Sequence, residues 1–229
     1  MNQTGTPYVL ARELRDIPEE VRAAPAPLVP WFPEPFALRA VDADGDDPAT
    51  IASWMARPHL VDTWEQDWPV ERWHRHLTAQ LTGTYSLPCV LSLDFAGVDR
   101  PELGVRDVAY VELYRPAKDE IARLYDAGPT DIGFHIATAD PELTGKGVIS
   151  RWIGLLGEAV WDQDPDCRRL LCEPDHRNPR MRRALVKNGW TELGEFDIRP
   201  TRRIALHVLP RTPDDAPTLR TGPVTPKTG

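Results

Sequence analysis

Hydrophobic and polar positions alternate along the chain between residues 34 and 210, and the period of the alternation changes from segment to segment. Residues 68–82 carry apolar side chains at helical spacing, which predicts an amphipathic helix. Residues 131–139 alternate with a period of two, which predicts a strand with one half-buried face. These two periods alone predict a domain that contains both helices and strands.

The full pattern predicts seven strands interspersed with helices. The predicted strands are 36–41, 85–95, 107–115, 131–139, 168–173, 191–198 and 202–209. The predicted helices are 48–56, 68–82, 118–125, one from the Gly-rich turn after residue 142 to about residue 161, and one between Asn178 and Gly189. Because strands and helices mix without regular alternation, we expect an α/β (α+β) fold with a mixed central sheet and helices on both faces.

Proline is concentrated at both ends of the chain. Seven of the 24 prolines lie in residues 1–35, and four more follow Arg211. Proline fixes φ and cannot donate to a β-ladder, so both ends are expected to be extended or disordered. We therefore predict a Pro-rich arm over 1–33, a folded domain over 34–210 and a disordered tail over 211–229.

The composition narrows the class of protein. In 229 residues, 41% are hydrophobic and 27% charged, as in ordinary globular domains. The net charge of −8 argues against a general nucleic-acid binder, which needs clustered basic side chains. The sequence has no apolar N-terminal leader or membrane-length apolar run and no metal-binding cysteine spacing, so we expect a cytoplasmic protein without a membrane span or a metal.

A glycine-rich turn is the sharpest local motif. Residues 142–147 read Glu-Leu-Thr-Gly-Lys-Gly between a predicted strand and a predicted helix. Glycine allows close approach of a ligand to the backbone, and the first N–H groups of a helix favour anions. The turn is therefore a candidate pyrophosphate cradle, although it is neither a P-loop nor a full dinucleotide fingerprint, and a plain tight turn is the alternative interpretation.

The succession of strand, Gly-x-Gly turn, helix, strand and helix resembles the GNAT acyltransferase superfamily, in which this turn holds the pyrophosphate of coenzyme A. The superfamily pattern begins with Arg or Gln where this chain has Glu142. Further stretches resemble one branch, the siderophore N-acyltransferases of hydroxamate biosynthesis of the aerobactin, mycobactin and desferrioxamine types. They are Trp54–His59, Trp64–Pro69, Gly83–Pro88, Tyr110–Tyr114, Lys118-Asp119, Tyr125–Ala127, Gly133–His135 and Pro174–Asn178.

The resemblance implies an acyl-CoA-dependent N-acyltransferase with a GNAT fold. Its acceptor would be the free or N-hydroxylated side-chain amine of lysine or a related diamine such as hydroxycadaverine, acylated directly in a ternary complex. An acyl-carrier protein is a further partner left open. The implied coenzyme-binding residues are Glu142, Leu143, Thr144, Gly145, Lys146, Gly147, Val148 and Asn178. The alternatives are a GNAT enzyme for another small amine, an aminoglycoside or a protein amine, and a non-catalytic acyl-CoA-binding module.

Two residues are candidates for proton transfer. His135 lies mid-strand between Gly133 and Ala137, whose small side chains are expected to leave space beside an imidazole that can accept a proton near neutral pH. Asp175 follows the next strand and is expected to lie near His135, as an orienting group, a base or a partner for a cationic amine, or else to cap the following helix. In the resemblance both match positions implicated in catalysis. A backbone N–H of strand 131–139 is the expected oxyanion donor.

Four of the eight tryptophans lie between residues 54 and 73. They predict either an aromatic wall for the aliphatic stem of an acceptor or an amphipathic helix pair packed on the sheet, and Trp73 fits packing. The predicted acceptor-binding residues are His59, Trp64, Glu65, Trp68, Glu112 and Tyr114. His74 and His76 are two positions apart and cannot share a helix face, so they are not expected to bind a metal together and are expected to be solvated. Cys89 is expected to pack in the core.

Overall fold

The strands form one mixed sheet. The computed structural model describes residues 8–64, 66–139, 143 and 146–220. The strands are β1 (Phe36–Ala40), β2 (Ser86–Asp94), β3 (Val105–Tyr114), β4 (Ile132–Thr138), β5 (Arg169–Cys172), β6 (Thr191–Arg199) and β7 (Arg202–Pro210). They lie in the order β1-β2-β3-β4-β5-β7-β6, so the predicted seven-stranded mixed sheet is confirmed.

The pairing of β4 with β5 creates a gap in the middle of the sheet. These two strands are parallel, whereas the other neighbouring pairs are antiparallel. They pair at Ile132–Leu170 and Gly133–Leu171 and no further, although β4 continues to Thr138. The remaining backbone of β4 therefore faces a widening gap on its β5 side.

Helices cover both faces of the sheet. They are α1 (Glu19–Ala23), α2 (Asp47–Met55), α3 (Pro58–Trp64), α4 (Val70–Thr82), α5 (Val148–Gln163) and α6 (Pro179–Lys187). One apolar cluster joins α5 and α6 to the sheet through Trp152, Leu185 and Phe134. A second cluster joins α2, α3 and α4 to the opposite face through Trp54 and Trp73. The second cluster confirms the packing role predicted for Trp73.

Two helix predictions differ from the structure. The predicted helix 68–82 begins at Val70, after Pro69, and the separate helix α3 precedes it. The predicted helix 118–125 is instead two 3₁₀ turns, because Asp119 between them has an extended backbone. The Asp119 side chain accepts a hydrogen bond from Ile121 N at 3.0 Å and so begins the second turn.

Both Pro-rich ends contact the domain within the described residues. Lys118 Nζ donates to Ala24 O at 2.6 Å, and Leu10 is buried. Thr218 N donates to Asp126 Oδ1 at 2.8 Å, so part of the predicted tail contacts the domain. Residues 221–229 lie outside the described residues, and the division at residues 33 and 210 stays a prediction.

None of the described helices is long and apolar enough to cross a membrane. The three cysteines are buried free thiols. Burial raises the pKa of Cys89 to about 12, which fits the predicted core residue rather than a nucleophile.

Candidate active site

A cavity of about 310 Å³ opens beside β4, and His135 lies in its wall. The strand directs His135 to the same face as Ala137, opposite to Phe134, because successive side chains alternate. Residues of the N-terminal segment, of α3 and α4, of β3, of the stretch after β5 and of the β6–β7 hairpin also contribute to the lining. The cavity therefore collects side chains from most of the length of the chain.

The His135 imidazole is held between two carboxylates. Its Nδ1 lies 3.1 Å from Glu112 Oε2, and its Nε2 makes a short hydrogen bond with Glu173 Oε1. The Tyr114 ring stacks on the imidazole, with ring centroids 4.6 Å apart and an interplanar angle of 12°. When both carboxylates are ionised, both ring nitrogens act as donors, which is the arrangement of an imidazolium.

The charges agree with this arrangement. Burial lowers the pKa of His135, but the negative charge of Glu173 and the hydrogen bonds to Glu112 and Glu173 together outweigh it, so the net pKa is raised above the ordinary value. Burial in turn raises the pKa of Glu173, but the positive charge and hydrogen bond of His135 hold it at about 2. Both shifts favour an imidazolium paired with a carboxylate, and from that state His135 accepts a proton only after releasing one.

Glu173 was not among the predicted site residues. Its side chain is fully buried, and Tyr114 Oη donates to its Oε2 at 2.6 Å. Arg202 Nη2 lies 3.4 Å and Arg12 Nη1 3.5 Å from its Oε1. The one local signal was a carboxylate placed directly after the buried strand β5, where most residues are apolar. Its proximity to His135, 38 positions earlier, depends on the parallel pairing of β4 and β5.

Glu112 is a predicted site residue that anchors the other side of the imidazole. Its Oε1 accepts hydrogen bonds from Tyr110 Oη at 2.9 Å and from Gln80 Nε2 at 3.1 Å. His76 Nε2 lies 3.8 Å from the same oxygen. The prediction that His76 is solvated is wrong, because α4 presents it to this buried network and leaves it 7% exposed.

Asp175 lies on the cavity wall but contacts other groups. Its carboxylate accepts hydrogen bonds from Arg177 N at 2.8 Å, from Arg177 Nε at 2.9 Å and from Arg177 Nη2 at 3.0 Å. The hydrogen bonds with Arg177 lower its pKa despite partial burial. Among the described contacts, the carboxylates on the His135 ring belong to Glu112 and Glu173, and Asp175 is not one of them. A catalytic role for Asp175 stays a prediction.

The space expected beside His135 is partly filled. A Cβ added to Gly133 would clash with the Tyr114 ring, so the glycine accommodates the tyrosine ring rather than a ligand. Tyr114, another predicted acceptor-binding residue, thereby holds the imidazole orientation through stacking and binds Glu173 through its hydroxyl. Its role in binding an acceptor stays a prediction.

Two half-buried tryptophans from the predicted aromatic wall do line the cavity. The Trp64 ring lies 6.1 Å from the His135 ring at 82°, and the Trp68 ring lies 5.0 Å from Trp73. The Arg72 guanidinium lies 3.9 Å above the Trp68 ring. His59 is exposed outside this lining, with Nε2 3.0 Å from Thr138 O, and Glu65 lies outside the described residues.

The start of α5 has the features of an anion site. Gly147 adopts φ +84°, which favours glycine, and a Cβ there would meet nothing within 4 Å. No side-chain cap is described at Gly147, and the first N–H groups of the helix, from Val148 onward, have no partner within the helix. The described residues of the turn thus fit a phosphate group. Glu142, Thr144 and Gly145 lie outside the described residues.

The other predicted coenzyme residues have different surroundings. Leu143 is buried in the apolar core, and Lys146 is exposed. Asn178 Oδ1 accepts a hydrogen bond from Met181 N at 3.1 Å and therefore caps α6, at the predicted start of this helix. A coenzyme-binding role for these three residues stays a prediction.

A backbone N–H of β4 points into the gap beside His135. Ala139 N donates to Val108 O at 2.8 Å, and the regular register puts the N–H groups of Ala137 and His135 on the same side. Ile136 is one residue out of phase and directs its N–H toward β5, beyond the last paired residue, Gly133. Its position fits the predicted oxyanion donor.

The comparisons with known proteins agree with this fold. Residues 44–198 match the family model described as "Acetyltransferase (GNAT) domain". The chain belongs to the GNAT family and is an acyltransferase, an enzyme class that uses acetyl-CoA or another acyl-CoA.

Similar proteins indicate the branch of the GNAT family to which the chain belongs. The chain is 49% identical over 209 residues to "Lysine N-acyltransferase MbtK" of Mycobacterium sp. (strain MCS), covering 91% of this chain and 81% of the relative. It is 28% identical over 152 residues to "N(6)-hydroxylysine O-acetyltransferase" of Escherichia coli, which covers 66% of this chain and 45% of that protein. Within GNAT, the chain therefore belongs to the family of the lysine N-acyltransferases.

The solved structures support the fold. Aminoglycoside acetyltransferase AAC(6')-Ib in complex with coenzyme A superposes with a TM-score of 0.61 at 20% identity, over 77% of this chain and 95% of that one. An uncharacterized protein of Bacillus halodurans superposes with a TM-score of 0.66 at 24% identity, over 76% and 83%.

Proposed function

We propose that this protein transfers an acyl group from acyl-CoA to the side-chain amine or hydroxylamine of lysine, in the biosynthesis of a hydroxamate siderophore. The observation that carries the proposal is the buried His135–Glu173 pair in an aromatic-lined cavity at the β4–β5 gap. The similarity to lysine N-acyltransferases over 91% of the chain supports the same acceptor.

In this proposal the neutral acceptor nitrogen attacks the thioester carbonyl carbon directly. The N–C bond forms, the C–S bond breaks, the nitrogen loses one proton, and the sulfur leaves as the thiol after gaining one. His135 in its neutral form accepts the proton from nitrogen and returns it to the sulfur, while Glu173 stabilises the intervening imidazolium. Asp175 is kept as an alternative proton acceptor or as a contact for the amine at the cavity wall. The Ile136 N–H stabilises the developing oxyanion.

The start of α5 would hold the pyrophosphate of the donor through backbone N–H groups. The acyl group itself is not specified by these contacts, and acetyl, succinyl and longer chains are all candidates. Exposed Arg180, Arg183 and Lys187 on α6 would favour the 3′-phosphate of the coenzyme or an acidic acyl-carrier protein.

Arg72 favours an amino-acid acceptor over a plain diamine. Its guanidinium lies on Trp68 at the cavity, and none of its described contacts is a carboxylate. A lysine acceptor carries an α-carboxylate that would pair with it, whereas cadaverine or hydroxycadaverine carries none. Trp64 and Trp68 would contact the aliphatic stem between the two ends.

The test is an acceptor panel with the purified full-length chain. Acetyl-, succinyl- and longer acyl-CoAs are combined with lysine, N6-hydroxylysine, cadaverine, hydroxycadaverine, an aminoglycoside and a lysine-containing peptide, and thiol release and product masses are measured. We expect N-acylation of lysine or N6-hydroxylysine with the highest kcat/KM. Absence of transfer to every amine, or a preference for the aminoglycoside or peptide, would reject the proposal.

A further inference from the structure

Arg12, from the N-terminal segment 8–14, reaches the reacting pair from outside the region that matches the GNAT domain. Its Nη1 lies 2.8 Å from His135 Nε2 and 3.4 Å from His135 Nδ1, and 3.5 Å from Glu173 Oε1. An in-plane donor to Nε2 would lie far from Nδ1 on the other side of the ring. The two similar distances therefore place the guanidinium nitrogen over the imidazole, beside the carboxylate.

The backbone of segment 8–14 is held by hydrogen bonds, whereas the Arg12 side chain can rotate away from His135. Leu14 N donates to Lys118 O at 2.8 Å, Glu120 N donates to Arg12 O at 3.2 Å, and Leu10 is buried. The Arg12 side chain is 23% exposed and lines the cavity through a long, flexible stem. Rotation of this stem would free the site without disturbing the backbone hydrogen bonds.

The other polar partners of the reacting pair are built into the fold. Glu173 Oε2 is bound by Tyr114, and both nitrogens of His135 face carboxylates from the sheet region. An incoming amine nitrogen needs a place next to His135 and Glu173. In the described structure Arg12 Nη1 fills that place with a cationic nitrogen on an aliphatic stem, which is the chemistry of a lysine side chain.

We infer that Arg12 occupies the acceptor site beside His135 and Glu173 and that the acceptor amine displaces it. The inference rests on the proposed function and adds the location of the acceptor. Arginine is suited to this role because it stays protonated and has no nucleophilic lone pair, so it is not acylated itself. A lysine at the same position would be a substrate in its own active site.

The first test is Arg12→Lys, incubated with acetyl-CoA without acceptor. The introduced side-chain amine, in its neutral form, would attack the thioester, form an amide, lose a proton and release coenzyme A as the thiol. Peptide mass spectrometry should show acetylation at position 12, slowed by added lysine or N6-hydroxylysine. The matched control is Arg15→Lys, because Arg15 is exposed on the same chain segment. Absence of acetylation at position 12 in a variant that acylates free acceptor, or equal acetylation at position 15 in the control, overturns the inference.

The second test uses Arg12→Met and Arg12→Ala, each checked by thermal melting. Loss of a competing charged hydrogen-bond donor should lower the KM for the acceptor by roughly 10-fold with little change in the KM for acyl-CoA. An unchanged or raised acceptor KM in both variants overturns the inference. A wild-type enzyme that acylates no amine would instead reject the proposed function, so the two failures are distinguishable.

Discussion

The two faces of β4 differ sharply although their side chains come from adjacent residues. On one face Ile132 and Phe134 are buried in the apolar core, with Phe134 5.7 Å from the Trp152 ring. On the other face His135 is held by two carboxylates and an arginine. The first face is stabilised by removal of apolar surface from water, and the second by charges that compensate one another. Substitutions on the two faces should therefore change different measured quantities.

The largest expected effect is on the charged face. Glu173→Gln removes the carboxylate that stabilises the imidazolium, and kcat should fall by roughly 10²–10⁴-fold, the usual range for a proton-transfer group. The measurement is steady-state thiol release, with circular dichroism to confirm folding. The matched control is Asp175→Asn, for which the loss should be much smaller because Asp175 is bound by Arg177. A larger loss of kcat in Asp175→Asn than in Glu173→Gln would assign the catalytic role to the Asp175 carboxylate.

On the apolar face, Ile132→Ala should reduce stability rather than catalysis. Ile132 is 2% exposed, and replacing it leaves a cavity in the core, so the free energy of unfolding should fall by about 2–5 kcal/mol. Chemical denaturation measures this change. Well below the unfolding transition, kcat should stay at the wild-type value. A large loss of kcat in the folded variant would contradict the separation of the two faces.

The pH dependence sharpens the contrast further. Because the pKa of His135 is raised in the folded state, its contribution to stability is full below the unfolded pKa and is lost as the pH rises through the folded one. The neutral base is needed for transfer, so kcat/KM should rise with pH around a midpoint above 6.5. Glu173→Gln should shift the midpoint down. A hydroxylamine acceptor is used so that the titration of a basic primary amine does not overlap with that of His135. An unshifted midpoint in Glu173→Gln would contradict the pairing of His135 with Glu173.

The smallest expected effect lies at the mouth of the cavity. Arg72→Gln should reduce the preference for lysine over cadaverine by about 2- to 5-fold, the range of an exposed ion pair. Competition between the two acceptors, followed by product masses, gives the ratio directly. An unchanged ratio would mean that the α-carboxylate lies elsewhere.

The sequence was sufficient for the elements whose periodicity is local. The seven strands, the helix after the Gly-x-Gly turn and the Asn178 cap follow from apolar spacing and capping chemistry. Alternation along the predicted strand 131–139 likewise determines that His135 lies on the face opposite to Phe134, which is in the apolar core.

Contacts between distant residues could not be predicted in the same way. Glu173 and Asp175 are two residues apart, and the choice between them depends on where β5 ends against β4. Arg12 lies 123 positions from His135 in a Pro-rich segment without periodicity, so no local pattern indicated it. The filling of the Gly133 space by Tyr114 likewise depends on the β3–β4 register.

The most direct test of the central claim is the turnover of His135→Gln with N6-hydroxylysine or lysine and the preferred acyl-CoA. Glutamine keeps the polarity of the site but cannot act as a base near neutral pH. The wild-type chain should release one thiol for each N-acylated product, and the variant should fold while its kcat falls by roughly 10²–10⁴-fold. A folded His135→Gln variant with wild-type kcat would contradict the assignment of acyl transfer to this site.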